Sequence, residues 1–347
     1  MINIRINGPK GLVNRDQAEK YAWVDVNDAT REELDRLERE YKLLPEHIAD
    51  ILDIDEQSRI EKEDDYTLII IRLPVRDERY DVSYYTVPFG IFLFSDRIVT
   101  ISHTDCEVLE EIRHGRAKGL DLRNKSAFVL HLFGRAAIVY LRYLKEINRA
   151  TAVIEGELQR SVRNHELTQL LAFEKSLVYF TTSLKTNEIV LEKLQASKAM
   201  RFKEDETELI EDVVTDNKQA IEMASIYSDI LSGMMDAFAS VISNNQNLQI
   251  KRLTTISIVF MPLNIIASVG GMSEFSSFTS SVPWWVSYSL FGLGLVAVGL
   301  LTAGILRLSG LVSDKRLKAS PRPWRPAAKL IAPAAGGIVV AAQLGRR

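Results

Sequence analysis

Cysteine is nearly missing from this chain: Cys106 is the sole thiol among 347 residues. That excludes a disulfide-built fold and suits a reducing compartment. Proline is absent from Phe89 to Met261, and from Ser126 to Ile250 the only glycines are Gly134, Gly156 and Gly233. A stretch so poor in helix breakers, with apolar residues at three- and four-residue steps, predicts two or three long helices. Charge is nearly missing from 253–306, where Glu274 is the sole charged side chain between Arg252 and Arg307. Histidine and cysteine are both missing from 207–347, which removes the ligands that a tight zinc site prefers. There is no GxxxxGK loop, HExxH, CxxC or GxSxG pattern. Direct ATP drive and the common hydrolytic chemistries are therefore not expected. His47, His103, His114, His131 and His165 are scattered, as structural or surface histidines are.

What is present is strongly polarised. Residues 1–250 hold 32 Lys+Arg against 44 Asp+Glu, whereas 251–347 hold 11 against 2. An acidic part is thus joined to a basic, apolar tail, an arrangement unlike the folded basic surface of a nucleic-acid binder. Thr254 to Ser273 and Pro283 to Leu306 are uncharged runs of 20 and 24 residues. At about 1.5 Å per residue each is long enough for a hydrocarbon core roughly 30 Å thick. Two membrane helices are expected, the alternative being a pair of buried core helices.

Lys251, Arg252, Arg307, Lys315, Arg316, Lys318, Arg322 and Arg325 flank the outer ends of the pair, while the intervening loop has no Lys or Arg. The positive-inside bias puts both termini in the cytoplasm and the loop outside. Trp284, Trp285 and Tyr288 stand where the second helix meets the outer interface. Residues 1–25 read as strand and turn rather than as a signal peptide. Residues 327–344 are apolar but carry Pro333 and Gly336-Gly337. They are expected to form a surface-lying or disordered tail rather than a third span, with the basic lead 320–326 near anionic lipid heads.

Upstream, Thr30 and Glu33 form a capping box ahead of Leu34, Leu37 and Tyr41, and Pro45 opens a second helix to about Asp53. Ile69–Ile71, Phe89–Phe94 and Ile98–Ile101 read as short strands bounded by Asp64-Asp65 and Ser95-Asp96. The expected organisation is a mixed α/β domain over 1–125 and a helical stalk over 126–250. Transmembrane helix 1 follows over 251–273, an external loop over 274–282, transmembrane helix 2 over 283–308 and a basic cytoplasmic tail over 309–347. No stop signal separates the last stalk helix from the first membrane run. One helix is therefore expected from about Thr207 through Gly270, a rod of order 100 Å suited to mechanical coupling.

Asn247, Thr254, Ser257, Met261, Asn264, Ser268 and Gly271 follow one another at steps of 7, 3, 4, 3, 4 and 3. That puts them on one side of a helix with a 3.5-residue repeat. The stripe has two readings: interhelical glue, or the wall of a water-filled pore. A chain with two spans encloses no pore, so the second reading requires an oligomer.

The residues Asn244-Asn245-Gln246-Asn247, Lys251 to Thr255, Phe260-Met261-Pro262-Leu263 and Gly270 to Phe275 resemble the first membrane helix of CorA-type metal-ion transporters, a family that includes zinc transporters of the ZntB type. Arg59-Ile60-Glu61 with Asp65 to Leu68 resembles a second family segment. The resemblance implies an α+β cytoplasmic domain, a long helical stalk and two C-terminal transmembrane helices in a funnel-shaped homopentamer. It implies a multi-pass protein of a bacterial inner (plasma) membrane, with lipid and divalent cations as partners and no nucleic acid. Divalent metals are then the transported substrate and possible regulators, with no cofactor. The family's Gly-Met-Asn signature is altered here to Gly271-Met272-Ser273. Asn264 corresponds to its mid-pore threonine, Ser268 to its nearby glycine and Asn247 to its neck asparagine. Leu253 and Met261, with Thr254 and Ser257, fall at the constrictions of the pore gate.

Glu274, repeated round a ring, would gather divalent cations, or it is a solvated loop charge. Glu204, Asp205, Glu206, Glu208, Glu211, Asp212 and Asp216 on the stalk are either a solvated face or divalent sites between subunits. Asp212 matches a regulatory position of the family. The expected function is passage of divalent cations, zinc or another transition metal slightly ahead of magnesium because the signature Asn is missing. The alternative is a scaffold or envelope-stress partner that binds other envelope proteins without transporting ions.

Overall fold

The computed structural model describes residues 2–8, 11–114, 120–158, 164–196, 204–273, 277 and 280–308. The chain divides into two units, Met1–Ile242 and Ser243–Arg347. Among the described residues the first unit holds strands β1 (Ile2–Gly8), β2 (Gly11–Arg15), β3 (Trp23–Asn27), β4 (Arg59–Lys62), β5 (Tyr66–Arg76), β6 (Tyr84–Phe94) and β7 (Ile98–Ser102). Its helices are α1 (Arg31–Tyr41), α2 (Pro45–Leu52), α3 (Glu107–Arg113), α4 (Lys125–Leu158), α5 (Asn164–Ala196) and the first part of α6 (Glu204–Gly270). The strands form one sheet in the order β2-β1-β3-β7-β6-β5-β4. β3 and β7 pair in parallel and the other neighbours are antiparallel.

Strand alternation builds two cores from one sheet. On β5, Tyr66, Leu68 and Ile70 join Val24, Val26, Phe92, Val99 and Ile101 beneath α1 and α2. The intervening Ile69, Ile71 and Leu73 join Trp23, Phe89 and Ile91 against the helices of the other face. Burial on both faces explains the unbroken apolar runs at the sheet's centre. α1 starts as its sequence dictates: Thr30 Oγ1 accepts from the Glu33 amide at 3.3 Å, and the Glu33 carboxylate accepts from the Thr30 amide at 2.9 Å. α4 is apolar and long enough to cross a membrane, yet 61% of its most apolar window is buried inside the fold. It is the central helix of the larger core.

β5 and β6 are longer than the short strands expected, because Pro74, Pro88 and Arg72 interrupt the apolar pattern without ending the ladder. β4 pairs only as far as Ile70 and β7 only as far as Phe89. Pro74 and Pro88 thus lie beyond the third strand on their respective sides, where a missing N–H costs no ladder bond. The edge that β4 leaves open at Arg72 is filled by a side chain. Asn187 Oδ1 accepts from the Arg72 amide and Asn187 Nδ2 donates to the Arg72 carbonyl, both at 2.9 Å. Tyr140 adds a donor to that carbonyl at 3.0 Å. Below the sheet centre, fully buried Asp25 is held by the guanidinium groups of Arg5 and Arg113, which offset the cost of burying its charge.

Gly90 sets how closely α2 approaches. A Cβ there would lie 2.1 Å from Ile51 Cδ1 and 2.6 Å from its Cγ1. α2 therefore sits on bare backbone, carrying His47, Ile48 and Ile51 on its buried face.

In the second unit α6 continues to Gly270 and α7 spans Trp284–Leu308. Both are long and apolar enough to cross a membrane, and only 6% of each apolar window is buried. They pack through small residues: a Cβ on Gly270 would meet the Phe291 ring at 2.3 Å, and Gly299 faces Leu263.

Candidate functional site

The face of α6 turned toward α7 consists of Thr255, Val259, Pro262, Leu263, Ile266 and Gly270, the half-buried or buried positions of this segment. Asn247, Thr254, Ser257, Met261, Asn264 and Ser268 are all exposed. At about 100° per residue the centres of these two sets lie roughly 180° apart on the helix. The polar stripe therefore points directly away from the partner span of its own chain. It is not glue between α6 and α7; those helices meet through Gly270, Phe291, Gly299 and Leu263.

The hydroxyls of the stripe are set up in a particular sense. Thr254 Oγ1 donates to Ile250 O at 2.8 Å, Ser257 Oγ to Leu253 O at 3.0 Å and Ser268 Oγ to Asn264 O at 2.8 Å. Each proton is spent on the carbonyl one turn back, so each oxygen offers lone pairs outward. Waters held by a cation point their hydrogens away from the ion. A row of acceptor oxygens suits such a shell and disfavours an anion. The Asn264 and Asn247 carboxamides add longer polar arms on the same exposed face. Leu253 and Met261 are 66% and 68% exposed, and they put apolar side chains on that face between the polar positions.

α6 closes just before the Gly271-Met272-Ser273 segment. The Gly271 amide donates to Ala267 O at 3.1 Å and the Met272 amide to Val269 O at 3.1 Å, closing the last turn. Gly271, Met272 and Ser273 are exposed. Glu274 lies outside the described residues. In the first unit Asp212, Glu208 and Glu211 are exposed on α6. Glu206 departs from the expected solvated or intersubunit face: it is buried and accepts from Asn124 Nδ2. The Glu204 and Asp205 side chains lie outside the described residues. The structure thus keeps Asp212 exposed, and among the described residues no ligand set gathers around it.

A cluster that residue spacing did not reveal lies on the soluble unit. His47 of α2 meets Glu61 and Glu63 at the β4–β5 turn, with potential ligand atoms all within 4.8 Å of one another. The alternation of Glu61 and Glu63 places both on one strand face, and α2 covers that face. The pairing is long-range in sequence, so only the fold brings the histidine to the carboxylates.

Comparison with known proteins bears on the whole assembly of elements. A family profile described as "CorA-like Mg2+ transporter protein" matches residues 18–307. The cobalt/magnesium transport protein CorA of Methanocaldococcus jannaschii is 25% identical over 296 residues, covering 84% of this chain and 91% of that protein. The protein of the same description from Thermotoga maritima is 23% identical over 286 residues, covering 80% of each chain. Among solved structures, the complete M. jannaschii CorA magnesium transporter superposes with a TM-score of 0.71 at 23% identity, over 90% of this chain and 99% of that one. The family match takes in strands β3 to β7, the long helices and the two exposed apolar segments together, and the chain belongs to the CorA-like Mg2+ transporter family.

Proposed function

We propose that this protein is a membrane transporter, not an enzyme, and that it moves divalent metal cations through a path lined by the exposed stripe of α6. The observation that carries the reading is the stripe's direction. A polar face opposite α7 is costly against lipid and is satisfied when several copies turn it toward a common wet axis. A homopentamer, with α6 innermost and α7 outside, meets that need. The apolar parts of α6 and α7 are then the two spans, with both termini in the cytoplasm of a bacterial inner membrane. The proposed domains follow the boundaries set out above.

Each residue has a role in this scheme. Asn247 lines the cytoplasmic neck. Leu253 and Met261 narrow the path and gate it by excluding water, and Thr254 and Ser257 keep polar oxygens between those rings. Asn264 and Ser268 receive the hydrated ion in mid-membrane. Gly271, Met272 and Ser273 shape the mouth, and Glu274 gathers cations there. Asp212 acts as a regulatory divalent contact between subunits. With the inside negative, a divalent cation gains about 4.6 kcal/mol per 100 mV on moving inward, twice the unit-charge value. Gradient and potential therefore suffice without nucleotide.

Zinc or another transition metal is preferred over magnesium, because Ser273 has a hydroxyl in place of the carboxamide of the signature. Both relatives are described as cobalt/magnesium transport proteins, and cobalt belongs to that class. Flux of magnesium, zinc, cobalt and nickel into liposomes tests the reading. Asn264→Leu abolishes flux while leaving oligomer size unchanged on gel filtration. Absence of flux for every metal in the parent protein would leave the scaffold reading. Fastest passage of magnesium would overturn the preference.

A further inference from the structure

His47 is 3% exposed and both of its ring nitrogens are engaged. Nδ1 lies 2.9 Å from the Tyr66 hydroxyl and Nε2 lies 2.9 Å from Glu61 Oε2. The Tyr66 oxygen is itself fixed, accepting from the Leu44 amide at 3.2 Å. Its ring packs edge-on against that of His47. Glu61 is oriented from behind, where Arg59 Nε donates to its other oxygen at 2.6 Å. Arg59 is in turn held by Asp50 at 2.6 Å and by Glu56. Glu63 completes the group from the turn, where its amide donates to Tyr66 O at 2.9 Å.

These are the parts of a metal centre with its supporting shell: an imidazole whose far nitrogen faces an oxygen, and a carboxylate clamped by a second group. In the neutral ring the Nε2 proton is donated to Glu61, and the Tyr66 hydroxyl proton faces Nδ1. Binding at Nε2 requires the ring proton on Nδ1, where it is donated to the Tyr66 oxygen. The metal occupies the position on the Glu61 side of Nε2. Ligands about 2.0–2.2 Å from a shared zinc sit roughly 3.3–3.5 Å apart in a tetrahedron. His47 and Glu61 need to open slightly, and the half-exposed Glu63 needs to swing inward from within 4.8 Å.

We propose that His47 Nε2, Glu61 and Glu63 form a site for a borderline transition-metal dication, zinc or cobalt, on the soluble unit. One imidazole with two carboxylates favours these ions over magnesium, which takes oxygen ligands and keeps its water. The site ties α2 to the β4–β5 turn. It stands independently of whether 247–273 conducts, since none of its ligands belongs to α6.

Cobalt titration of the metal-stripped, full-length protein in detergent tests the site. Low-symmetry cobalt bound to nitrogen and oxygen ligands absorbs strongly in the visible, whereas a hydrated octahedral ion in a pore stays pale. One intense equivalent per chain is expected, displaced by zinc and not by magnesium. His47→Gln removes the band. Glu63→Gln weakens cobalt binding by more than the roughly 10–100-fold that loss of an outer-shell partner costs. Asn264→Leu leaves the band in place whatever it does to flux, so the two proposals fail separately. If His47→Gln aggregates, Glu63→Gln decides. A parent protein without the band, or a Glu63→Gln variant that keeps full affinity, overturns the site.

Discussion

Replacing Gly90 with alanine adds one methyl where α2 rests on β6. The new Cβ would stand 2.1 Å from Ile51 Cδ1, 2.6 Å from Cγ1 and 3.4 Å from Cγ2. Ordinary carbon contacts are about 3.5–4.0 Å, so Ile51 or the helix must retreat by more than about 1 Å. Ile51 is fully buried, so any retreat is into packed neighbours. Overpacking of this kind costs about 1–3 kcal/mol. At about 2–4 °C per kcal/mol for a domain of 150–250 residues, the first unfolding transition should fall by roughly 2–12 °C. Ile51→Ala alone should cost about 2–5 kcal/mol by opening a cavity. The double variant is the decisive measurement, because the methyl added on β6 then occupies part of the space that Ile51 vacates. It should be more stable than the sum of the single losses by at least about 1 kcal/mol. Scanning fluorimetry on the four proteins reads this directly. Strict additivity, or a Gly90→Ala variant that melts with the parent, would refute the claim that this glycine seats α2. His47 lies one turn before Ile51 on the same buried face, so Gly90→Ala should also weaken any metal held at His47.

Asn187→Leu leaves the Arg72 amide without its side-chain acceptor at an edge that β4 no longer covers. A loss of about 1–3 kcal/mol is expected, read in the same thermal assay, while Asn187→Gln should recover little because its longer arm misplaces both groups. Asp96 is held below the ordinary aspartate range chiefly by the Arg97 guanidinium, which contacts it at 2.7 Å. Its stabilising contribution is therefore full above that range and is lost as the pH falls through the depressed value. With the side chain 36% exposed, solvent screening limits the effect to about 0.2–1 kcal/mol. The gap in melting temperature between the parent and Asp96→Asn should close between about pH 5 and pH 2. A gap that widens in acid would contradict the sign.

Local chemistry made some of this architecture readable in advance and left other parts hidden. The capping box at Thr30 and Glu33 was visible because all its atoms come from four consecutive residues. The long helices were visible because nothing in their sequence stops them. The lengths of β5 and β6 were not, since Arg72, Pro74 and Pro88 interrupt the apolar runs, and only the shorter neighbouring strands show that the prolines cost no ladder bond. The parallel pairing of β3 with β7 joins strands far apart in the chain, for which a single sequence carries no signal. The stripe on α6 was legible as a spacing, but its relation to α7 depends on how Gly270 and Phe291 meet. His47 read only as a scattered histidine and Glu61 only as part of a family segment, because their meeting with Glu63 depends on how α2 lies against the sheet.

The orientation of that stripe also bears on the life of each newly made copy. A lone protomer in the bilayer would turn amide and hydroxyl groups toward acyl chains, with no second helix of its own to shield them. Such orphans are natural targets for membrane quality control. If the proposed ring forms, abundance should track assembly rather than synthesis, and a copy that joins it but blocks it would silence its intact companions.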